Sequence, residues 1–282
     1  MDVNLDDIKG KDAEGIGFWI VEKAMSIKAV KVDKKSFLSE ALGSKLPPEQ
    51  LQEVLTKGTC RSNISVDIIK EAAELCINNT KRLSNGESAL TGLPGGIAGI
   101  TAGIAADIIQ FYANLIILIQ KLLYLYGIDS IYDDIKDNNK DLSAFILCFI
   151  GIASGAKGID DIVKILSKWT EGVYIKQGQK FILLAKPTFY SIAKKVAKSI
   201  GLSITKKGFA KAAAKAVPVV SSAISLLLNN ATFSPIAKRL NEKLIQIYKS
   251  QSRNKYEDSI CPVYEDSICP VDVFICYKEK SI

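Results

Sequence analysis

The chain has 282 residues, 48% apolar and 24% charged, with 37 Lys and Arg against 30 Asp and Glu. That length and balance describe a globular chain with one large core or two modest ones. It holds no histidine, which removes His-based triads, Cys–His dyads, HExxH zinc sites and most transition-metal sites, and leaves carboxylate, Lys or Cys chemistry.

In chain order, the opening Met1-Asp2-Val3-Asn4-Leu5-Asp6-Asp7 is acidic and polar, unlike a secretory signal. Residues 12–30 and 48–83 read as amphipathic helices, with Ile64, Ile68 and Leu75 at helical spacing. Pro47-Pro48 marks a turn, Pro48 suits the first turn of the helix it begins, and Ser84-Asn85-Gly86 ends that stretch.

Next comes a Gly-rich segment in which Gly95, Gly99 and Gly103 stand four apart. On a helix they share one face and admit another backbone closely. Three helical glycines cost roughly 3 kcal/mol relative to alanine, so a packing gain is expected to offset them. The helix is predicted to run on to Tyr126 with Asp107, Gln110, Asn114 and Lys121 on one polar stripe. Asp107 is read as a structural, satisfied carboxylate; the alternative is an acid used in catalysis.

A second apolar run, Leu142 to Ala156, carries Gly151 and Gly155. The two runs are predicted to pair as a helical hairpin through their small faces. A third uncharged run spans Ala216 to Ala237. A membrane span needs about 20 mostly apolar residues. Asp107 interrupts the first run, the second is short, and prolines break the third. Each reads as a buried core helix or an interfacial hairpin ahead of a span.

From Gly172 to Asn241 there are twelve basic residues and no Asp or Glu. So one-sided a block points to an anionic partner, or else to a solvated lysine-rich surface. Lys194, Lys198, Lys207, Lys211 and Lys215 are the residues expected to bind an anionic surface. Phospholipid headgroups or a membrane protein lead as partners. Nucleic acid or an acidic protein is the alternative, weakened by lysine's large excess over arginine and by the lack of a helix-turn-helix, zinc or RNP signature.

The cysteines, Cys60, Cys76, Cys148, Cys261, Cys269 and Cys276, show no CxxC spacing. This favours a reducing cytosol, with Cys148 a small core hydrophobe. Near the end, Tyr-Glu-Asp-Ser-Ile-Cys-Pro-Val at 256–263 repeats unchanged at 264–271. Two such short copies make no solenoid; they read as a duplicated linker.

Several of these elements, taken in order, resemble the EcsC family: Thr91-Gly92, the glycines 95, 96, 99 and 103, Asp107, then Tyr126-Gly127-Ile128-Asp129. Further on, Val217-Pro218, Asn229, Thr232 and a helix from Ile236 to Tyr248 continue the likeness, although Ser221-Ser222 stands where the family often has glycines. The resemblance covers about residues 12–250. It implies a helical fold, no catalytic residues to carry over, and a role tied to an ABC transporter or a membrane. Asp272-Val273-Phe274-Ile275-Cys276-Tyr277 resembles the first strand of a TIR domain. That likeness implies a truncated fusion, the sensing half of a defence protein, without the parts that would cleave NAD.

The expectation is therefore an all-α, multi-helix bundle with a Gly-rich hairpin over 12–250. A linker over 251–271 and a TIR-like start over 272–282 would follow, unstructured or as a lone strand. The function expected is a non-enzymatic module without cofactor, cytoplasmic and peripheral at the inner face of the membrane.

Overall fold

In the computed structural model the described residues are 8–59, 62–84, 104–128, 139–170, 187–213 and 233–249. Side chains at 82–84, 104–107, 139–140, 168–170, 187–188 and 204–213 are not among those described. The described part is all α, nine helices packed as a bundle, with no strand among these residues. They are α1 (Ala13–Met25), α2 (Lys34–Leu42), α3 (Pro48–Lys57), α4 (Val66–Ser84), α5 (Ile104–Leu125), α6 (Asn139–Ser154), α7 (Ile159–Thr170), α8 (Pro187–Ala213) and α9 (233–249).

Local chemistry sets several boundaries. Asp12 caps α1 by accepting from the Gly15 N–H at 2.8 Å, and Asp33 does the same for α2 through Ser36 at 2.8 Å. The stretch 12–30 is interrupted: α1 stops at Met25, and only a 3-10 turn, Lys28–Val30, follows. The stretch 48–83 is two helices. Gly58 at φ +84° and Asn63 at φ +45° turn the chain between them through left-handed backbone that no helix accommodates. Helices α2 and α7 were not anticipated, although Asp33 is a cap signal and Asp160-Asp161 occupy the first turn of α7. On α4 the buried line is Ile69, Ala72, Ala73 and Cys76, whereas Leu75 is 49% exposed.

The core is built around α5, which is buried almost without interruption from Ala113 to Tyr126. Helices α1 and α4 cover it, and α6 packs chiefly on α8. Gln120 of α5 is almost completely buried and fully engaged. Its Nε2 donates to the Val30 carbonyl at 2.7 Å and the Ile116 carbonyl at 3.2 Å, and its Oε1 accepts from Val32 N–H at 3.3 Å. It thereby ties the connector after α1 to the core and satisfies backbone groups that burial would otherwise orphan. On the polar stripe, Gln110 donates to Asn114 at 3.0 Å, and Lys121 lies 5.4 Å above the Phe37 ring.

The tightest crossing joins α1 to α8. A Cβ built on Gly17 would fall 2.6 Å from Ala197 Cα and closer still to its carbonyl. One built on Gly201 would fall 2.9 Å from Ala13 Cα and closer still to that carbonyl. The two backbones touch where these glycines stand, a small-residue crossing of the kind also expected at Gly95, Gly99 and Gly103. Those three glycines lie outside the described residues. So do the residues 216–232 of the third apolar run, the duplicated octapeptide and the TIR-like segment.

The end of α5 explains the Tyr126-Gly127-Ile128 motif. Gly127 has φ +65°; its N–H reaches the Tyr124 carbonyl at 3.4 Å, and the Ile128 N–H reaches the Leu123 carbonyl at 2.9 Å. This is a Schellman cap, which favours glycine for its left-handed residue. Tyr126 then donates its hydroxyl to Asn241 Oδ1 of α9 at 2.6 Å, and the Tyr248 hydroxyl donates to the Ile64 carbonyl at 3.4 Å.

Two outcomes follow. Gly17→Ala and Gly201→Ala each gain about 1 kcal/mol of helix propensity. Each also meets backbone that cannot rotate away, so a net loss of roughly 1–2 kcal/mol is expected, read as a lower melting temperature. Tyr126→Phe strands the buried Asn241 side chain and should cost about 1–3 kcal/mol in urea denaturation. Pairing it with Asn241→Leu should recover most of that loss.

Candidate anionic-surface site on helix 8

Helix α8 has one committed face and one open face. Ala193, Val196, Ala197 and Ile200 are buried against the bundle, whereas Lys194, Lys195, Lys198, Ser199, Leu202 and Ser203 are exposed. The helical period puts the exposed set on one half of the cylinder. Leu202, 44% exposed, and Leu75 are the large exposed hydrophobics among the described residues.

Of the five lysines expected to bind an anionic surface, Lys194 and Lys198 stand on this open face. Lys207 and Lys211 lie further along α8 with side chains outside the described set, and Lys215 lies outside the described residues. Lys195, not singled out in the sequence, joins them; its signal was its place between Lys194 and Lys198 on the same helix. Lys194 is partly compensated, its Nζ lying 3.8 Å from Glu14 of α1. Among the described residues, Lys157, Lys195 and Lys198 have no carboxylate within ion-pair distance.

Beside this face runs a slot of about 410 Å³ between α5, α6, α8 and α9. Its walls are apolar: Phe111 and Leu115, Ile150, Val196 and Ile200, and Ile236. Its polar residues include Ser154 and Lys157 at the end of α6 and Lys195, Ser199 and Ser203 on α8. A shallower depression of about 360 Å³ adjoins it, lined by Lys195, Lys198, Ser199, Leu202 and Ser203. Tyr112 also lines the slot, and burial of its phenol pushes its pKa above the usual tyrosine value.

A second Schellman cap, at Gly155, brings Lys157 to this slot. Gly155 has φ +73°, and its N–H reaches the Ile152 carbonyl at 3.2 Å while the Ala156 N–H reaches the Gly151 carbonyl at 3.0 Å. Arg239 of α9 completes the cap, donating from Nη1 to the Ala153 carbonyl at 3.0 Å. Gly155 is thus a helix terminator; the expected pairing of Gly151 and Gly155 with Gly95, Gly99 and Gly103 involves residues outside those described. Gly151 faces α8, where an added Cβ would lie 2.9 Å from Val196 Cγ2 and 3.3 Å from Ile159 Cδ1.

A larger cleft of about 1100 Å³ lies between α1, α5, α6 and α8. Its charged residues are of both signs, Glu14 and Glu22 with Lys28, Lys31 and Lys194, so it shows no preference for an anion. Asp107 stands on α5 with its side chain outside the described set. Cys76 and Cys148 are buried free thiols. Desolvation pushes Cys76 up to about 11 and Cys148 up as well, so neither is a ready nucleophile at neutral pH.

One segment among the described residues, Ile108–Leu125, is long and apolar enough to cross a membrane, and 72% of it is buried inside the bundle. The segments Asp141–Ser154 and Ile159–Ser167 together pass the same test but are bent by 115°. Comparison with protein families, with curated proteins and with solved structures finds no significant match.

Gly155→Ala forces a side chain into left-handed backbone and against the Arg239 guanidinium, whose Nη1 lies 3.2 Å from the added Cβ. It should lower stability by about 1–2 kcal/mol in chemical denaturation.

Proposed function

We propose that this chain is a non-enzymatic helical module that docks on anionic membrane surfaces through the open face of α8. The observation that carries this reading is the union of Lys194, Lys195 and Lys198 with the exposed Leu202 on one helix face that bears no acidic residue over its described length. Basic residues near an anionic membrane contribute about 1 kcal/mol each. A leucine among them adds shallow apolar insertion, and the lysine stems reach over apolar surface while their ammonium groups stay wet. The further lysines of the 172–241 block extend the same charge along the sequence.

The resemblance to the EcsC family, as read from the sequence, supports a place beside a membrane transporter, peripheral at the cytoplasmic face. The TIR-like stretch at 272–277 supports a sensing role in a defence protein. The burial of α5 within the bundle favours docking on the surface over spanning.

Purified protein should float with vesicles containing phosphatidylglycerol and stay down with phosphatidylcholine vesicles. Flotation should fall steeply between low and physiological salt, because exposed charges are screened within about 8 Å at physiological ionic strength. Replacing Lys194, Lys195 and Lys198 by Gln should weaken flotation at least tenfold with an unchanged far-UV circular dichroism spectrum. Failure of the native protein to float at low salt would sink the reading. Salt-sensitive DNA binding in its place would move the basic face to a nucleic-acid role.

A further inference from the structure

We infer that the slot between α5, α6, α8 and α9 takes one acyl chain of an anionic phospholipid, with the lipid phosphate held by Lys157 and Lys195. The inference rests on the membrane-surface reading and assigns the individual lipid that the surface would grip. Three features carry it.

The first is the division of the slot by polarity. Its walls come from four helices and are apolar at Phe111, Leu115, Ile150 and Ile236. Among the described residues its charged side chains are both basic, Lys157 and Lys195, with no carboxylate in the lining. An apolar body beside a purely basic end is complementary to an anionic amphiphile, and to neither a sugar nor a nucleotide base.

The second is uncompensated charge. Lys194 leans on Glu14, and Lys243 on Asp160 at 3.2 Å. Lys157 and Lys195 have no such carboxylate among the described residues. The exposed Ser199 lines the same slot and carries a hydroxyl suited to a phosphate oxygen, whereas the Ser203 hydroxyl donates to the Ser199 carbonyl at 2.9 Å.

The third is size and continuity. A volume of about 410 Å³ sits near the lower end of the small-molecule range, roughly 300–1,000 Å³, and suits one chain over two. The adjoining depression shares Lys195, Ser199 and Ser203 and adds Lys198 and Leu202. The slot therefore opens beside the face proposed to meet the membrane, and a lipid still seated in the leaflet has a path for one chain to enter.

The test uses the full chain and lysophosphatidylglycerol below its micelle-forming concentration. Native mass spectrometry and calorimetry should give one molecule per chain. Lysophosphatidylcholine should bind at least tenfold more weakly, and inorganic phosphate should compete only at far higher concentration. Lys157→Gln with Lys195→Gln should weaken lysophosphatidylglycerol at least tenfold. Ser199→Trp, at an exposed position lining the slot, should abolish uptake while low-salt flotation persists through Lys194 and Lys198. If that variant loses its circular dichroism spectrum, Ser203→Phe from the same exposed face serves in its place.

Equal affinity for the two lysolipids, several molecules per chain, unaltered uptake by the filled variant, or phosphate competing at equal concentration would each overturn the assignment. Native protein that floats yet takes up no lysolipid overturns the slot and leaves the surface reading standing. Uptake of one lysolipid without flotation sustains the slot and removes the surface reading.

Discussion

The contact of the α1 and α8 backbones at Gly17 and Gly201 governs the arrangement of the bundle. Helices usually pack with axes about 8–10 Å apart, spaced by their side chains. Here Gly17 lies against Ala197 and Gly201 against Ala13, so side chains no longer hold the axes apart. This ties the first described helix to one that begins at Pro187, and the helices between must wrap around the pair. Packing of α6 on α8 and of α5 on α1 follows from that closure. The closure also fixes the rotation of α8. With Ala193, Ala197 and Gly201 turned inward, Lys194, Lys195 and Lys198 are turned outward together.

Two helix ends are handled by one recurring device. Helices α5 and α6 both stop in Schellman caps, at Gly127 and Gly155, and α9 then reaches each end with a polar side chain. Asn241 accepts from Tyr126, and Arg239 donates to the Ala153 carbonyl. The last carbonyls of a helix need partners when water is excluded. A cation at a helix C-terminus also gains from the helix dipole. In this way α9 holds the ends of two core helices and closes one side of the slot through Ile236.

The functional reading follows from the same geometry. Burial disfavours the thiolates of the described cysteines, whereas the groups left in water on the open face of α8 are lysines, serines and Leu202. The charge of such a face favours anions electrostatically. Apolar walls next to uncompensated ammonium groups join the two halves of an amphiphile's chemistry in one place.

Much of the fold class was legible in the sequence. Apolar periodicity, the scarcity of strand patterns and Pro48 in a first helical turn specify helices, because these signals act within a turn or two. The break at 58–65 was missed because it depends on positive-φ backbone at Gly58 and Asn63, residue types that favour such backbone without requiring it. The basic block was plain from charge counting, but not which lysines share a face. That Lys194, Lys195 and Lys198 share the open face follows from how α8 is rotated by its contact with α1. Likewise Gly17, Gly151 and Gly155 look alike as letters. One admits a backbone, one faces Val196, and one ends a helix. The sequence by itself determined an all-helical, basic chain. Partners at residues 197, 196 and 239 came from tertiary structure alone, since contacts between segments distant in the chain arise from packing and leave no local pattern to read.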